Sequence, residues 1–400
     1  MSAERWTPFL LLILIAVILL KISLLVVLAT ALLVVMLVAG WWRKHSLDQV
    51  TYRRRFHYTR AFPGEQVKLR IEVENRKLLP ISWLRIQDPW PKAVGPEDEN
   101  ILAASHIPDQ GFLTNVFSLR WYERARRTYT LLFRKRGVYP IGPAHLESGD
   151  LFGFYEKSRE DGPIEHLTVF PTLLPLEELD LAAEDPFGDR ASRRRLFEDP
   201  SRPMGVRQFH PEDGFRRIHW PATARTGSLQ VKVDQPVSGR VMVLCVNVAT
   251  FTRHWEGIYP ELLEYLVRAA ATLVDQGLKA GYHVGLISNS CLAHSDQPFR
   301  IPPGRSPQQL AHLLQALASV TPLVTASFER FLMMEVPRIP YGATLVVLTA
   351  VVSPELAETL LRLKKHEHRM LLYSLAETPP PFLPGVKTIH RPFVGTPGAA

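Results

Sequence analysis

The densest group of reactive side chains lies between Arg207 and Lys232, where Asp213, Arg216, His219 and Arg225 share one stretch with Pro211, Gly214 and Gly227. Asp213 and Arg216 are spaced to pair across a turn opened by Pro211 and Gly214. If these two converged with His219 and Arg225 in a cleft, they would supply the carboxylate, imidazole and guanidinium groups that acid–base or phosphate chemistry uses. The same residues also read as a structural clamp. In that reading the ion pair stays internal, Ile218 and Trp220 alternate as buried anchors, and a strand begins at Ser228. Paired charges in turns most often serve as scaffolding, so a non-enzymatic role is expected and the catalytic loop is the alternative.

Other chemistries find less support. His283, His366 and His368 have no acidic or nucleophilic partner at a fixed spacing, and Cys245 sits inside an apolar run that reads as core. No Gly-rich loop ends in Gly-Lys-Ser or Gly-Lys-Thr, so nucleotide hydrolysis by this chain is not expected. The two cysteines, Cys245 and Cys291, are expected to be reduced thiols.

From Trp6 to Trp42 the chain is almost wholly apolar. As one helix it would reach about 55 Å, well beyond a hydrocarbon core of about 30 Å. The pattern predicts a two-helix membrane hairpin, with helices at 6–20 and 22–42 and Lys21 at the tip. Arg43, Lys44, Arg53, Arg54, Arg55 and Arg60 follow the second helix while only Arg5 lies near the start, which places the soluble part in the cytoplasm, on the inner membrane. Much of the net charge of +8 lies in these juxtamembrane residues and the run Arg193–Arg195. Arg43, Lys44, Arg53, Arg54 and Arg55 suit anionic lipid, and without a recognisable nucleic-acid motif no nucleic-acid partner is expected.

The positioning elements follow from periodicity. Val67–Glu74 alternates apolar and charged residues, and further strand candidates lie at 81–86, 112–119, 128–134 and 166–170, giving an all-β, sandwich-like domain over 50–175. Residues 176–206 have the composition of a linker. From 233 to 376 apolar runs alternate with amphipathic ones, with strands at 241–248, 282–288, 343–351 and 369–375 and helices at 259–277, 306–320, 328–334 and 354–366. This predicts an α/β domain with a mostly parallel sheet, whose ligands would sit beyond the strand ends, after Val248. Residues 377–400 are Pro-rich and read as an extended tail.

The spacing of Arg207, Asp213, Arg216, Ile218, Trp220, Ala222, Ala224, Arg225, Leu229 and Val231 resembles the core motif of the domain of unknown function 58 family. The segments Arg136–Pro143 and Gly149–Phe154 resemble two elements that precede that motif, with Leu151 in place of a proline. Phe209, Glu212, His219, Pro221 and Thr223 depart from the pattern. The resemblance implies a von Willebrand factor A-like (Rossmann-type) domain, in which metal-competent members hold Mg²⁺ with an aspartate and two serines after the first strand. Here the corresponding residues are Asn247, Ala249 and Phe251, with no aspartate in Thr349–Ser353, so a degenerate site, with no metal and no cofactor, is expected. The resemblance further implies a MoxR-type AAA ATPase as partner, in assembly or maturation of a membrane or envelope complex.

Overall fold

The structure, a computed structural model, describes residues 15, 23–150, 156–179, 197–210, 215, 218–237, 241–253, 256–292, 295, 297–340, 342–364 and 368–393. The chain divides into two compact units, Met1–Phe170 and Pro171–Ala400.

The first unit opens with helix α1, Ser23–Ser46, whose last turn carries Arg43, Lys44 and His45 against the negative end of the helix dipole. Leucine and valine side chains are exposed all round it, as in a helix whose solvent is lipid. It is the one helix among the described residues that is long and apolar enough to cross a membrane. The expected two-helix hairpin is therefore corrected to a single candidate span; apart from Ile15, the expected helix at 6–20 lies outside the described residues.

No linker follows α1. Two of its terminal carbonyls, Lys44 O and Ser46 O, and three carbonyls just beyond the helix are taken up by the β domain. Lys77 Nζ donates to Ser46 O and to Asp48 O (2.7 Å), Lys157 Nζ to Lys44 O (2.6 Å), and Arg159 to Leu47 O (3.1 Å) and Val50 O (2.7 Å).

The chain then forms β1 (Val50–Phe56), β2 (Arg60–Ala61), β3 (Gln66–Asn75), β4 (Ile81–Pro91), β5 (Leu102–Ala104), β6 (Gln110–Leu119), β7 (Arg124–Leu132), β8 (Gly137–Ile141), β9 (Ala144–Gly149), β10 (Glu156–Asp161) and β11 (Glu165–Val169). They make three sheets, ordered β1-β3-β7, β10-β9-β4-β6-β5 and β2-β11-β8. The period-two alternation of β3 sends Val67, Leu69, Ile71 and Val73 inward, where they share one core with Trp90, Leu113 and Leu131.

Beside this core is a buried ion pair. Arg54 donates to both oxygens of Asp88 (3.0 and 3.1 Å) and to Glu165 (2.9 Å), and Tyr52 Oη donates to Asp88 (2.7 Å). Burial pushes the Asp88 carboxyl up, while Arg54 and the Tyr52 hydrogen bond pull it back. Removing either partner of such a pair typically costs about 3–5 kcal/mol, because the other charge is stranded. Arg54 is thus committed internally, which corrects its assignment to lipid; Arg55, half-exposed, pairs with Glu72 at 3.2 Å.

In the second unit, β12 (Phe197–Gln208) pairs with β13 (Gln230–Val237) as an antiparallel ribbon. Residues 197–206 are therefore strand rather than linker; Pro200 and Pro203 hide it in the sequence, since proline is tolerated at irregular strand edges. Between these strands lies a short helix, α2 (Trp220–Thr226). Next come β14 (Val241–Asn247), α3 (Pro260–Lys279), β15 (His283–Leu292), β16 (Pro298–Gly304), α4 (Gln309–Ala318), β17 (Val320–Val324), α5 (Phe328–Glu335), β18 (Thr344–Thr349), α6 (Pro354–Lys364), β19 (Arg369–Ser374) and β20 (Lys387–His390).

These strands build one sheet, ordered β16-β15-β14-β18-β19-β20, with β17 also on β15. Strands β15, β14, β18, β19 and β20 run parallel, whereas β16 and β17 are antiparallel to β15. The expected Rossmann-type, von Willebrand factor A-like sheet is accordingly corrected to a mixed one. The prolines of β16 conceal a strand at a sheet edge, and β20 adds a strand in what the sequence predicts as tail.

Burial pushes the Lys77 ammonium down, from the ordinary 10.5 to about 8. The unfolded chain then binds more protons between these values, so the Lys77 contribution to stability rises as pH climbs from about 8 to 10.5 and is at its lowest below that window. The melting temperature of the full chain in detergent, taken as wild type minus Lys77→Met, should rise across this range; a flat difference would contradict the burial of the charge.

Candidate functional site

Strands β14, β15 and β18 end side by side, and a cleft of about 850 Å³ opens beyond their carboxyl ends. Its floor is a hydrogen-bonded set of buried polar side chains. The Asn247 amide donates to Thr349 Oγ1 (3.1 Å), while Asn247 Oδ1 accepts from Ala249 N (3.1 Å) and Asn289 Nδ2 (2.9 Å). Asn289 Oδ1 in turn accepts from Val248 N at 3.0 Å. Thr349 Oγ1 closes the set by donating to Val351 O at 2.6 Å.

The walls come from the starts of two helices. Ser327 Oγ caps α5 by accepting from Arg330 N (3.4 Å), and Ser353 Oγ accepts from Leu356 N (3.1 Å) while donating to Glu329 Oε1 (3.0 Å). Glu329 and Glu355, in the first turns of α5 and α6, offset the positive ends of those helices. Phe251 and Phe328 supply apolar lining, and Arg330 adds a cation.

The three expected positions Asn247, Ala249 and Phe251 thus do line one site. Asn247 offers a single neutral oxygen that already receives two hydrogen bonds, and Ala249 and Phe251 offer no side-chain ligand, so the donors do not fit a hard dication. Among the described residues no group of three or more His, Cys, Asp or Glu is placed to hold a metal ion. Sequence reasoning missed Asn289, Glu329, Arg330, Ser353 and Glu355. The polar triplet Ser288-Asn289-Ser290 in an otherwise apolar strand was the signal for the first.

The second cluster is the motif ribbon. Ile218, 4% exposed, bridges to Val231, and His219 N donates to Gln230 O at 2.7 Å. Gln230 N returns a bond to Thr223 Oγ1 at 3.0 Å, locking α2 onto β13, which begins at Gln230 rather than Ser228. His219 is the N-cap of α2: its Nδ1 accepts from Ala222 N at 3.1 Å, so this nitrogen is engaged. Gly227, with a φ of 69°, ends the helix in the left-handed conformation that favours glycine.

Trp220 is not the expected buried anchor; it is 65% exposed, at the first turn of α2. Ile218 alone fills that role. Phe215 is 76% exposed and lies 5.8 Å, centroid to centroid, from Phe209. Arg207 on β12 and Arg225 on α2 are exposed as well. Asp213 and Arg216 lie outside the described residues.

The two cysteines are buried and free, and burial pushes the Cys245 thiol far up, away from nucleophilic thiolate chemistry.

Residues 205–386 match the family described as Protein of unknown function DUF58. That span runs from the motif ribbon to the start of β20 and contains both clusters. The chain is 22% identical over 281 residues to the uncharacterized protein YeaD of Bacillus subtilis, covering 70% of this chain and 65% of that relative's length. Among solved structures it is similar to a CARDB domain from Pyrococcus furiosus, at 11% identity over 30% of this chain and 89% of that one, with a TM-score of 0.20. It is also similar to the sporulation control protein Spo0M of Bacillus subtilis, at 16% identity over 30% of this chain and 49% of that one, with a TM-score of 0.19.

Millimolar Mg²⁺ at a micromolar site would raise stability by about 4 kcal/mol. The full chain is expected to show no Mg²⁺-dependent change in melting temperature, and Asn247→Ala to leave that response unchanged. A shift that disappears in Asn247→Ala would instead identify Asn247 as a ligand.

Proposed function

We propose that this chain is a membrane-anchored interaction protein, held by α1 with its soluble units on the cytoplasmic side, and that its motif ribbon docks a protein partner. The observation that carries the reading is the exposure of Trp220, in a motif that also exposes Arg207 and Arg225. Tryptophan and arginine dominate the binding energy of protein interfaces, and an exposed tryptophan held on a capped, hydrogen-bonded helix loses little freedom when it docks.

A motif that exposes one tryptophan and two arginines fits an acidic partner face with an apolar pocket. The family resemblance names a MoxR-type AAA ATPase as that partner, and assembly or maturation of a membrane or envelope complex as the process. His219 supports the interaction reading over a catalytic loop, since its Nδ1 is spent on capping α2. The basic last turn of α1 supports the cytoplasmic placement.

Trp220→Ala should keep the unfolding free energy within about 0.5 kcal/mol of wild type, as expected of an exposed position, yet weaken capture of the AAA ATPase by about 2 kcal/mol or more. Equal capture by Trp220→Ala and wild type would remove the docking role. A green fluorescent reporter fused after residue 400 should fluoresce in the cytoplasm; accessibility of the soluble units to protease added outside intact cells would reverse the orientation.

A further inference from the structure

Three segments of the first unit meet where α1 leaves its last turn. They are the helix exit 46–50, the β3–β4 loop 76–80 and the β6–β7 turn 120–123. Asn75, fully buried, joins the two loops: its amide donates to Leu79 O (3.0 Å) and to Arg120 O (2.9 Å), and its own N–H donates to Glu123 O (2.9 Å). Arg76 N donates to Gln49 O (3.0 Å) and Tyr122 N to Lys77 O (3.3 Å), while the Lys77 ammonium holds Ser46 O and Asp48 O. The loops are thus hydrogen-bonded to the end of the helix itself.

This platform presents apolar side chains outward. Leu78 is 72% exposed, and Trp121 and Tyr122 are each 64% exposed. Tyr122 has a φ of 52°, a left-handed conformation that costs a non-glycine residue energy and persists only where the surroundings enforce it. Exposed Trp and Tyr on a tight turn have no folding role, but they are the side chains that favour the headgroup zone of a bilayer, where one end can be apolar and the other wet. Trp41 is exposed one turn before the helix end, at the depth where such a belt would run, and Arg43, Lys44 and Arg120 supply cations around it.

We propose that Leu78, Trp121 and Tyr122 form a second membrane contact, inserting into the headgroup zone of an anionic bilayer beside α1 and holding the β domain against the surface in one orientation. The proposal rests on α1 spanning that bilayer. It concerns a surface separate from the juxtamembrane arginines of β1: Arg54 is buried, and β1 leads away from the platform, so that Tyr58 beyond its far end lies roughly 25 Å along the strand direction from Val50.

The test uses the full chain reconstituted in vesicles of phosphatidylcholine and phosphatidylglycerol. A nitroxide is placed singly at Leu78→Cys, Trp121→Cys, Tyr58→Cys and Leu32→Cys, all exposed positions; the native thiols are buried. Collision with oxygen, which partitions into lipid, is compared with collision with a water-soluble nickel chelate. The expected result is a severalfold higher oxygen-to-nickel ratio at 78 and 121 than at 58, with Leu32, in the apolar helix, higher still. A lipid-like ratio at 32 with water-like ratios at 78 and 121 would overturn the second contact and leave the anchor standing. A water-like ratio at 32 would overturn the anchor and the contact together.

Discussion

The carbonyl oxygens at the end of α1 have to be given donors, and much else in the first unit follows from how that is done. Solvent could supply them, as it does at most helix ends; here Lys77 and Lys157 supply them to Ser46 O and Lys44 O from the β3–β4 loop and from β10, and Arg159 of β10 binds Leu47 O and Val50 O just beyond the helix. This choice abolishes a linker. It also fixes where β1 begins, and hence the register by which Val50 faces Asn75 and Phe56 faces Leu69. A flexible tether would have let the β domain diffuse around its anchor; a hydrogen-bonded joint gives it one attitude relative to the helix axis.

Two buried polar sets, one in each unit, are built differently. In the first, Arg54, Asp88 and Tyr52 keep a full charge pair inside, where desolvation opposes it and only dense hydrogen bonding compensates. In the second, Asn247, Asn289 and Thr349 are neutral, and each polar atom of the set meets a neutral partner. Neutral groups satisfied in this way cost little and bring no charge of their own, so the floor of the cleft beyond β14, β15 and β18 has the place of a ligand site without the carboxylate of a metal site, and the charges of Glu329, Arg330 and Glu355 stand in its walls.

Periodicity made most of the elements legible. The alternation of β3, the apolar run of β14 and the amphipathic pattern of α3 all read directly, because each buries a face at the period of its own backbone. Strands β12 and β16 did not, since Pro200, Pro203, Pro302 and Pro303 sit where irregular or edge pairing tolerates them, and β20 is only four residues long. The parallel strands were legible as alternation with helices, whereas the antiparallel additions to β15 were not. At the motif, the direction of Trp220 was not legible: Ile218 and Trp220 differ by two positions and would share a face on a strand, yet α2 starts at Trp220, whose side chain is exposed. At the cleft, Asn247, Ala249 and Phe251 were legible because they lie at the end of one strand, while Glu329 and Ser353 reach it from the starts of two helices distant in sequence.

The buried guanidinium of Arg54 also restricts the order in which this chain could change. Gly142, with a φ of 91°, leaves the space that the Arg54 guanidinium fills; a Cβ there would fall against it. Replacing Arg54 first strands the Asp88 carboxylate, replacing Asp88 first takes away the guanidinium's fully buried acid and leaves it Glu165, and enlarging Gly142 first displaces the guanidinium from both acids. Each single step descends in stability, and only joint replacement of all three would reach another well-packed interior. These positions, far apart in sequence, form one unit of inheritance, and a homologue that has lost one of them should have lost the others.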